Sequence, residues 1–285
     1  MRARLVFSIA LLVVTNAPAL AKPRWQTLPL PPAMPKADTK GTVTIKGGTI
    51  YYATFGTGAP VILLHGGMGN GDHFSRQVPA LRDKFQVIVI DSRGQGRSSL
   101  PKGKLSYHAM ASDVLAVMDK LSLPRASLVG WSDGGAIGLD LAVTHPDRVD
   151  KLFIIGTNYD GNGSKPRKGK PPAATFLAYT AKCRADHARF GNKPKSFSAA
   201  IDALLPVWRN PGGFTKDQLR GITAPTMVAL GDHDEIIELD QIKEMAELIP
   251  NGELTVFADT SHFAMWQDPK SFNKVLIEFL TAKPE

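Results

Sequence analysis

Ala126-Ser127-Leu128-Val129-Gly130-Trp131-Ser132-Asp133-Gly134-Gly135-Ala136-Ile137-Gly138-Leu139 is the stretch that decides the fold. A short apolar run leads into Gly-x-Ser-x-Gly and then into an apolar pattern at helical spacing, the layout of a strand, a tight turn and a helix. A sharp strand-to-helix reversal packs backbone on backbone, so a Cβ at Gly130 or Gly134 would clash. The turn lifts the Ser132 hydroxyl clear of the strand and sets it at a helix N-terminus, where backbone N–H groups face developing negative charge. Ser132 is therefore the candidate nucleophile.

Outward from this turn, strand-like and helix-like stretches alternate. Residues 61–64, 85–90, 127–129, 152–155, 226–230 and 254–257 read as strands; residues 74–82, 107–121, 135–143, 239–249 and 271–280 read as helices. Ahead of them, the β-rich stretches 42–46 and 49–55 flank Gly47-Gly48, a hairpin signal. Strands alternating with helices predict an α/β fold, a mostly parallel, doubly wound sheet covered on both faces. Ligands of such sheets bind beyond the carboxyl ends of the strands, so the residues that follow strands carry the chemistry.

Several such groups fit one reaction. The strand 61–64 ends in His65-Gly66-Gly67, a loop glycine-rich enough for a backbone N–H to approach a substrate oxygen. The N–H groups of Gly67 and Asp133 are the candidate oxyanion hole, with His65 organising the loop. Gly231-Asp232-His233-Asp234 follows the strand 226–230, and Ser261-His262-Phe263 follows the strand 254–257. A serine hydroxyl needs a base to become nucleophilic at neutral pH, and the base needs a carboxylate to fix its tautomer. His262 is the candidate base, because His65, His73, His108, His145, His187 and His233 lack the late post-strand position or belong to another motif. Asp234 is the candidate acid, with Asp232 and then Asp160 behind it. Asp91 and Arg93, in the loop 91–98, read as structural residues that hold the loop by charge-assisted hydrogen bonds. No histidine spacing reads as a metal site, so neither metal nor cofactor is expected.

The alternation breaks between residues 157 and 224, which read as an inserted, mainly helical cap between core segments 41–156 and 225–285. Residues 161–172 are too rich in Gly, Pro and Lys to be regular, while 173–190 and 197–208 have helical composition. Phe176, Tyr179, Phe190, Phe197, Trp208 and Phe214 are candidate pocket walls, with packing inside the cap as the alternative for each. The formal net charge is +8, and residues 157–224 alone hold twelve Lys/Arg against four Asp. One segment thus carries the basic character, as a solvated face or as attraction to an anionic substrate or surface. No nucleic-acid motif accompanies it, and the expected partner is a small ester-like molecule.

The chain opens with Arg2 and Arg4, an apolar run over residues 5–14, and Ala17-Pro18-Ala19-Leu20-Ala21. This is the pattern of a signal peptide cleaved after Ala21, which predicts a periplasmic or secreted protein. About ten apolar residues are too few to span a bilayer, and no later segment is longer, so stable membrane insertion is not expected. Residues 22–40, with five prolines, read as an extended leader. Cys183 is the only cysteine, so no intrachain disulfide forms, and it lacks the strand-turn-helix setting of a nucleophile.

Taken together, His65-Gly66-Gly67, the loop 91–98, Gly130-Trp131-Ser132-Asp133-Gly134-Gly135, Gly231-Asp232-His233-Asp234 and Ser261-His262-Phe263 resemble the α/β-hydrolase-fold superfamily from about residue 42 onward. Its chain order of serine, acid and histidine is the order found here. The Gly-Trp-Ser-Asp-Gly-Gly elbow is similar to that of valacyclovir-hydrolase-like enzymes, which implies a carboxylate at Asp133 for a substrate ammonium; the helix dipole equally favours an acidic residue there. Serine at the elbow, where related dehalogenases and epoxide hydrolases carry aspartate, points away from those activities. The expected function is an exported serine hydrolase cleaving an ester or lactone through an acyl-enzyme. Amide or aminoacyl-ester hydrolysis, carbon–carbon bond hydrolysis and a cofactor-free haloperoxidase-like activity are the enzymatic alternatives. A ligand-binding protein of the same fold is the contrasting class, which would have no need to keep Ser132, Asp234 and His262.

Overall fold

The computed structural model describes residues 22–100, 102–166, 169, 171–191, 194–209 and 213–283. The expected signal peptide, residues 1–21, lies outside them. Among the described residues, strands β1 (Thr39–Ile45), β2 (Gly48–Phe55), β3 (Ala59–Leu64), β4 (Phe85–Ile90), β5 (Ala126–Trp131), β6 (Val149–Ile155), β7 (Thr226–Gly231) and β8 (Gly252–Phe257) form one sheet in the order β1-β2-β4-β3-β5-β6-β7-β8. β1 and β2 pair antiparallel, β2 runs antiparallel to β4, and every other pairing is parallel. The helices are α1 (Val78–Leu81), α2 (Tyr107–Lys120), α3 (Asp133–Thr144), α4 (Ala174–Arg189), α5 (Pro194–Arg209), α6 (Lys216–Arg220), α7 (Leu239–Leu248), α8 (Ala264–Gln267) and α9 (Pro269–Thr281). None is long and apolar enough to cross a membrane.

The central strands are apolar on both faces because both faces are covered. Ile62, Leu64, Ile88, Leu128, Leu152 and Val228 bury one face against Val114 and Val117 of α2, Ile137 and Leu141 of α3, and Ile242 and Met245 of α7. Their neighbours one residue along, Val61, Leu63, Val87, Val129, Phe153 and Met227, bury the other against Val78 and Leu81 of α1 and Phe272, Leu276 and Phe279 of α9. A one-residue slip of any of these strands would exchange its two sets of side chains, which is how the sequence pins register.

One expected element is shorter than its pattern. A helix over 74–82 is replaced by a 3-10 turn at Gly71–Phe74 and by α1 at Val78–Leu81. Pro79 sits in the first turn of α1; it has no N–H and is disfavoured beyond a helix start, so a helix cannot run through it from Phe74. Among the described residues of 161–172, Gly161–Gly163 form a 3-10 turn and Ser164 makes a single bridge to Ile237. Between β6 and β7 the chain then runs through α4, α5 and α6.

Candidate active site

The turn after β5 is tight. Ser132 has φ 54° and ψ −118°, a left-handed backbone that L-residues adopt only when the surroundings impose it. What imposes it is contact: a Cβ on Gly130 would stand 2.4 Å from the Gly134 carbonyl oxygen, and one on Gly134 2.0 Å from that of Leu64. α3 therefore starts directly against the end of β3. The Ser132 N–H donates to Ile155 O at 2.9 Å and its carbonyl accepts from Thr157 Oγ1 at 2.9 Å, so the end of β6 holds the turn.

The late loops meet on the same side. Asp234 follows β7 and is fully buried; its Oδ1 accepts from the N–H of Ile236 at 2.8 Å and of Ile237 at 2.9 Å, and its Oδ2 contacts His262 Nδ1 at 2.8 Å. An ionised carboxylate only accepts, so this contact fixes the proton on Nδ1 and leaves Nε2 with its lone pair. Burial opposes the imidazolium, but the Asp234 carboxylate, with lesser help from Glu235 and Asp133, raises the His262 pKa above its usual 6.5. The His262 backbone is held as well: its N–H donates to Glu235 Oε2 at 3.0 Å and its carbonyl accepts from Trp131 Nε1 at 2.9 Å.

Asp232 faces elsewhere. It accepts from the backbone N–H of Asp259 and Thr260, each at 3.0 Å, and contacts His233 Nδ1 at 2.8 Å. Asp160 caps the 3-10 turn after it and accepts from Gln241. Neither touches His262.

Ser132, Asp133, His262, Gly66 and Gly67 line one cavity of about 300 Å³, together with Met68, Tyr107, Trp131, Asn158, Ser164, Lys165, Phe176, Tyr179, Trp208, Ile236 and Ile237. Ser132 and His262 share this wall without a hydrogen bond between them; such contacts commonly close only when substrate binds. The first amides of α3 lack intrahelical acceptors, which leaves the Asp133 N–H free to meet an oxyanion. His65 organises its loop: its Nδ1 contacts Gly66 O at 2.8 Å and its Nε2 accepts from Ser92 N at 3.0 Å. Burial pushes its pKa down to about 4, which keeps it neutral. Asp91 and Arg93 serve separate pairs, Asp91 with Arg97 and Arg93 with Asp113.

Of the aromatic residues between 157 and 224, Phe176, Tyr179 and Trp208 line the cavity. Phe190 lies under Arg97 and Arg189, Phe197 packs on His187 and Arg184, and the Phe214 backbone N–H bonds Tyr159 O. Four of the twelve basic residues form ion pairs, Lys182 with Asp186, Arg189 with Asp72, Lys216 with Glu244 and Arg220 with Asp217. Among the described cations of the segment, Lys165 is the one that lines the cavity, and its Nζ donates to the Asp234 carbonyl at 2.6 Å. Cys183 is buried and its thiol pKa is pushed up by burial, so it is no nucleophile at neutral pH.

Sequence reasoning missed three contributors. Gly156, at φ 61° after β6, leaves the room that Asp234 and His262 occupy: a Cβ there would stand 2.8 Å from His262 Cε1. A glycine directly after a buried strand was the available signal. Tyr107, and the bond that Trp208 makes beyond its expected place in the pocket wall, could not be read, since they join distant segments: Tyr107 OH donates to Asp133 Oδ1 at 3.0 Å and Trp208 Nε1 to Oδ2 at 2.9 Å. The Asp133 side chain thereby joins α5 to the elbow. Burial raises its pKa against the lowering effect of these two bonds. Trp208→Phe keeps the ring but leaves a buried carboxylate short of a donor, so a loss of about 1–3 kcal/mol is expected in urea unfolding of the two proteins.

The family model described as alpha/beta hydrolase fold matches residues 59–181. A Caulobacter segnis protein named "Putative carbamate hydrolase RutD" is 31% identical over 252 residues, covering 78% of this chain and 92% of that protein. A 2-hydroxy-6-oxononadienedioate/2-hydroxy-6-oxononatrienedioate hydrolase of Cupriavidus pinatubonensis is 29% identical over 281 residues, covering 87% and 97%. Among solved structures, Est816, described as an N-acyl homoserine lactone degrading enzyme, superposes with a TM-score of 0.71 at 31% identity, covering 84% of this chain and all of that one. With its mostly parallel sheet, its strained turn after β5 and these relatives, the chain belongs to the alpha/beta hydrolase fold family and is a hydrolase.

Proposed function

We propose that the protein is a serine hydrolase that cleaves a carboxylic ester or lactone through an acyl-enzyme. The observation that carries this reading is the buried Asp234–His262 pair sharing one cavity wall with the strained Ser132. Ser132 Oγ attacks the carbonyl carbon while His262 Nε2 takes its proton, and Asp234 holds the ring and stabilises the imidazolium. The N–H groups of Gly67 and Asp133 receive the developing oxyanion. His262 returns the proton to the leaving oxygen, and water then repeats the sequence to release the acid.

The substrate class follows from the lining. Met68, Phe176, Trp208, Ile236 and Ile237 give the cavity an apolar wall, which suits an aliphatic acyl chain. The lactone-degrading enzyme among the similar structures supports the lactone half of the reading. Residues 157–224 act as a cap in this proposal, because Tyr179 and Trp208 reach from them to Gly67 and Asp133. Residues 1–21 direct export, with cleavage after Ala21.

The test is a panel of p-nitrophenyl esters of increasing acyl length beside N-acyl homoserine lactones of matching chains, with carbamates and vinylogous diketones as the other arms. Turnover that rises with acyl length until the cavity is full supports the proposal. Turnover confined to carbamates or diketones replaces ester and lactone by the corresponding bond.

A further inference from the structure

The proline-rich stretch ahead of β1 is built into the loops that carry the acid and the base. Trp25 stacks on His233 at 4.6 Å between ring centroids and 14° between planes, one residue before Asp234. His233 in turn contacts Asp232, which accepts from the N–H groups of Asp259 and Thr260. On the other loop, Asp259 sits at φ 52°, a strained position for a non-glycine residue, three residues before His262. Arg24 grips this turn: its N–H reaches Asp259 Oδ2 and its Nε the Asp259 carbonyl, each at 3.3 Å, its Nη2 the Ala258 carbonyl at 3.1 Å, and its Nη1 Asp268 Oδ2 at 2.7 Å. Gln267 completes the brace. Its Nε2 donates to the carbonyls of Trp25 at 3.2 Å and Thr27 at 2.7 Å, and its Oε1 accepts from the N–H of Ser261 at 2.7 Å. Further along, Leu30 O accepts from Arg76 Nη2 at 3.0 Å and Pro32 O from Ser75 Oγ at 2.7 Å.

We propose that residues 23–32 form a strap that positions the Asp234 and His262 loops against each other, with Arg24 and Trp25 as positioning residues for the hydrolytic reaction; this rests on the reading of Asp234 and His262 given above. Half-exposed ion pairs such as those of Arg24 contribute little to global stability. Their leverage is local. They hold a strained turn whose displacement would move His262, and neither Arg24 nor Trp25 lines the cavity. The charged groups facing His262 are Asp234, Glu235 and Asp133, so a looser Asp234 contact removes its principal support for the imidazolium.

The experiment uses the full chain with p-nitrophenyl butyrate, comparing Trp25→Ala, Arg24→Gln and Trp25→Phe with the unsubstituted protein, each rate normalised to the folded fraction by circular dichroism. For Trp25→Ala and Arg24→Gln the strap predicts a fall in kcat of roughly ten- to a hundredfold, the scale of a small misplacement of catalytic groups. It also predicts little change in KM and an acid limb of the pH profile moved to lower pH. Trp25→Phe, which keeps a stacking ring, restores most of the activity. Unchanged kcat and pH profile per folded molecule overturn the strap, as do variants that lose only thermal stability or fail to fold. Ser132→Ala separates the two claims: if it keeps full turnover, the reading of the active site fails, whereas loss of turnover there with unaffected strap variants refutes the strap alone.

Discussion

Ser132→Ala is expected to lower kcat for the best ester by about five to six orders of magnitude while leaving the protein folded, because removing a triad nucleophile costs about as much as removing the whole triad. The fold should tolerate the change. The Ser132 turn is held by backbone bonds to Ile155 and from Thr157, and by the approach of Gly134 to β3, none of which involves Oγ. Alanine at φ 54° meets much the same backbone strain as serine. Residual turnover of about 10³–10⁴ over water is expected, from the oxyanion donors and binding alone. Steady-state kinetics with thermal unfolding of both proteins checks this. A folded variant with full turnover would move the nucleophile away from Ser132, and Cys183, buried and with its thiol pKa raised, could not replace it.

How much of this was legible in the sequence depends on the distance over which each residue acts. Ser132, Gly130 and Gly134 act within a few residues, so their pattern announces the turn. The two-sided apolar strands announce a parallel sheet, and the sheet's directionality then tells which loops to read. The choice between Asp234 and Asp232 lay at the limit of legibility, since both follow β7. The backbone sets them apart: Ile236 and Ile237 turn the Asp234 carboxylate inward, while Asp259 and Thr260 draw Asp232 to the neighbouring loop. Beyond that limit lie contacts between distant segments. Composition showed a basic segment but not that Asp72 and Glu244, outside it, neutralise part of its charge. Nor could it show Trp208 and Tyr107 meeting on Asp133, or a proline-rich leader ordered against the Asp234 and His262 loops. The helix expected over 74–82 failed on a local rule outweighed by apolar spacing, the position of Pro79.

Asp234→Asn should reduce kcat about 10⁴-fold, the scale found when a triad carboxylate becomes an amide. The geometry says why the amide fails while the loop survives. Asn Oδ1 can still accept from the N–H groups of Ile236 and Ile237, so the turn after β7 stays as it is. That places the amide Nδ2, a donor, where Oδ2 accepted from His262 Nδ1. The imidazole must then present a lone pair at Nδ1 and carry its proton on Nε2, where it cannot take one from Ser132. The pH profile carries a second signature. In the unsubstituted protein the acid limb is expected above the usual histidine value of 6.5, because Asp234 outweighs the lowering effect of burial on His262. Only the neutral ring is a base, so activity is lost as pH falls through that raised value. Removing the carboxylate leaves burial opposed only by Glu235 and Asp133, so the acid limb of the residual activity moves to lower pH. Asp232→Asn, which alters the exposed neighbour that does not touch His262, should leave that limb in place. A profile that shifts for Asp232→Asn and not for Asp234→Asn would assign the acid to the other carboxylate.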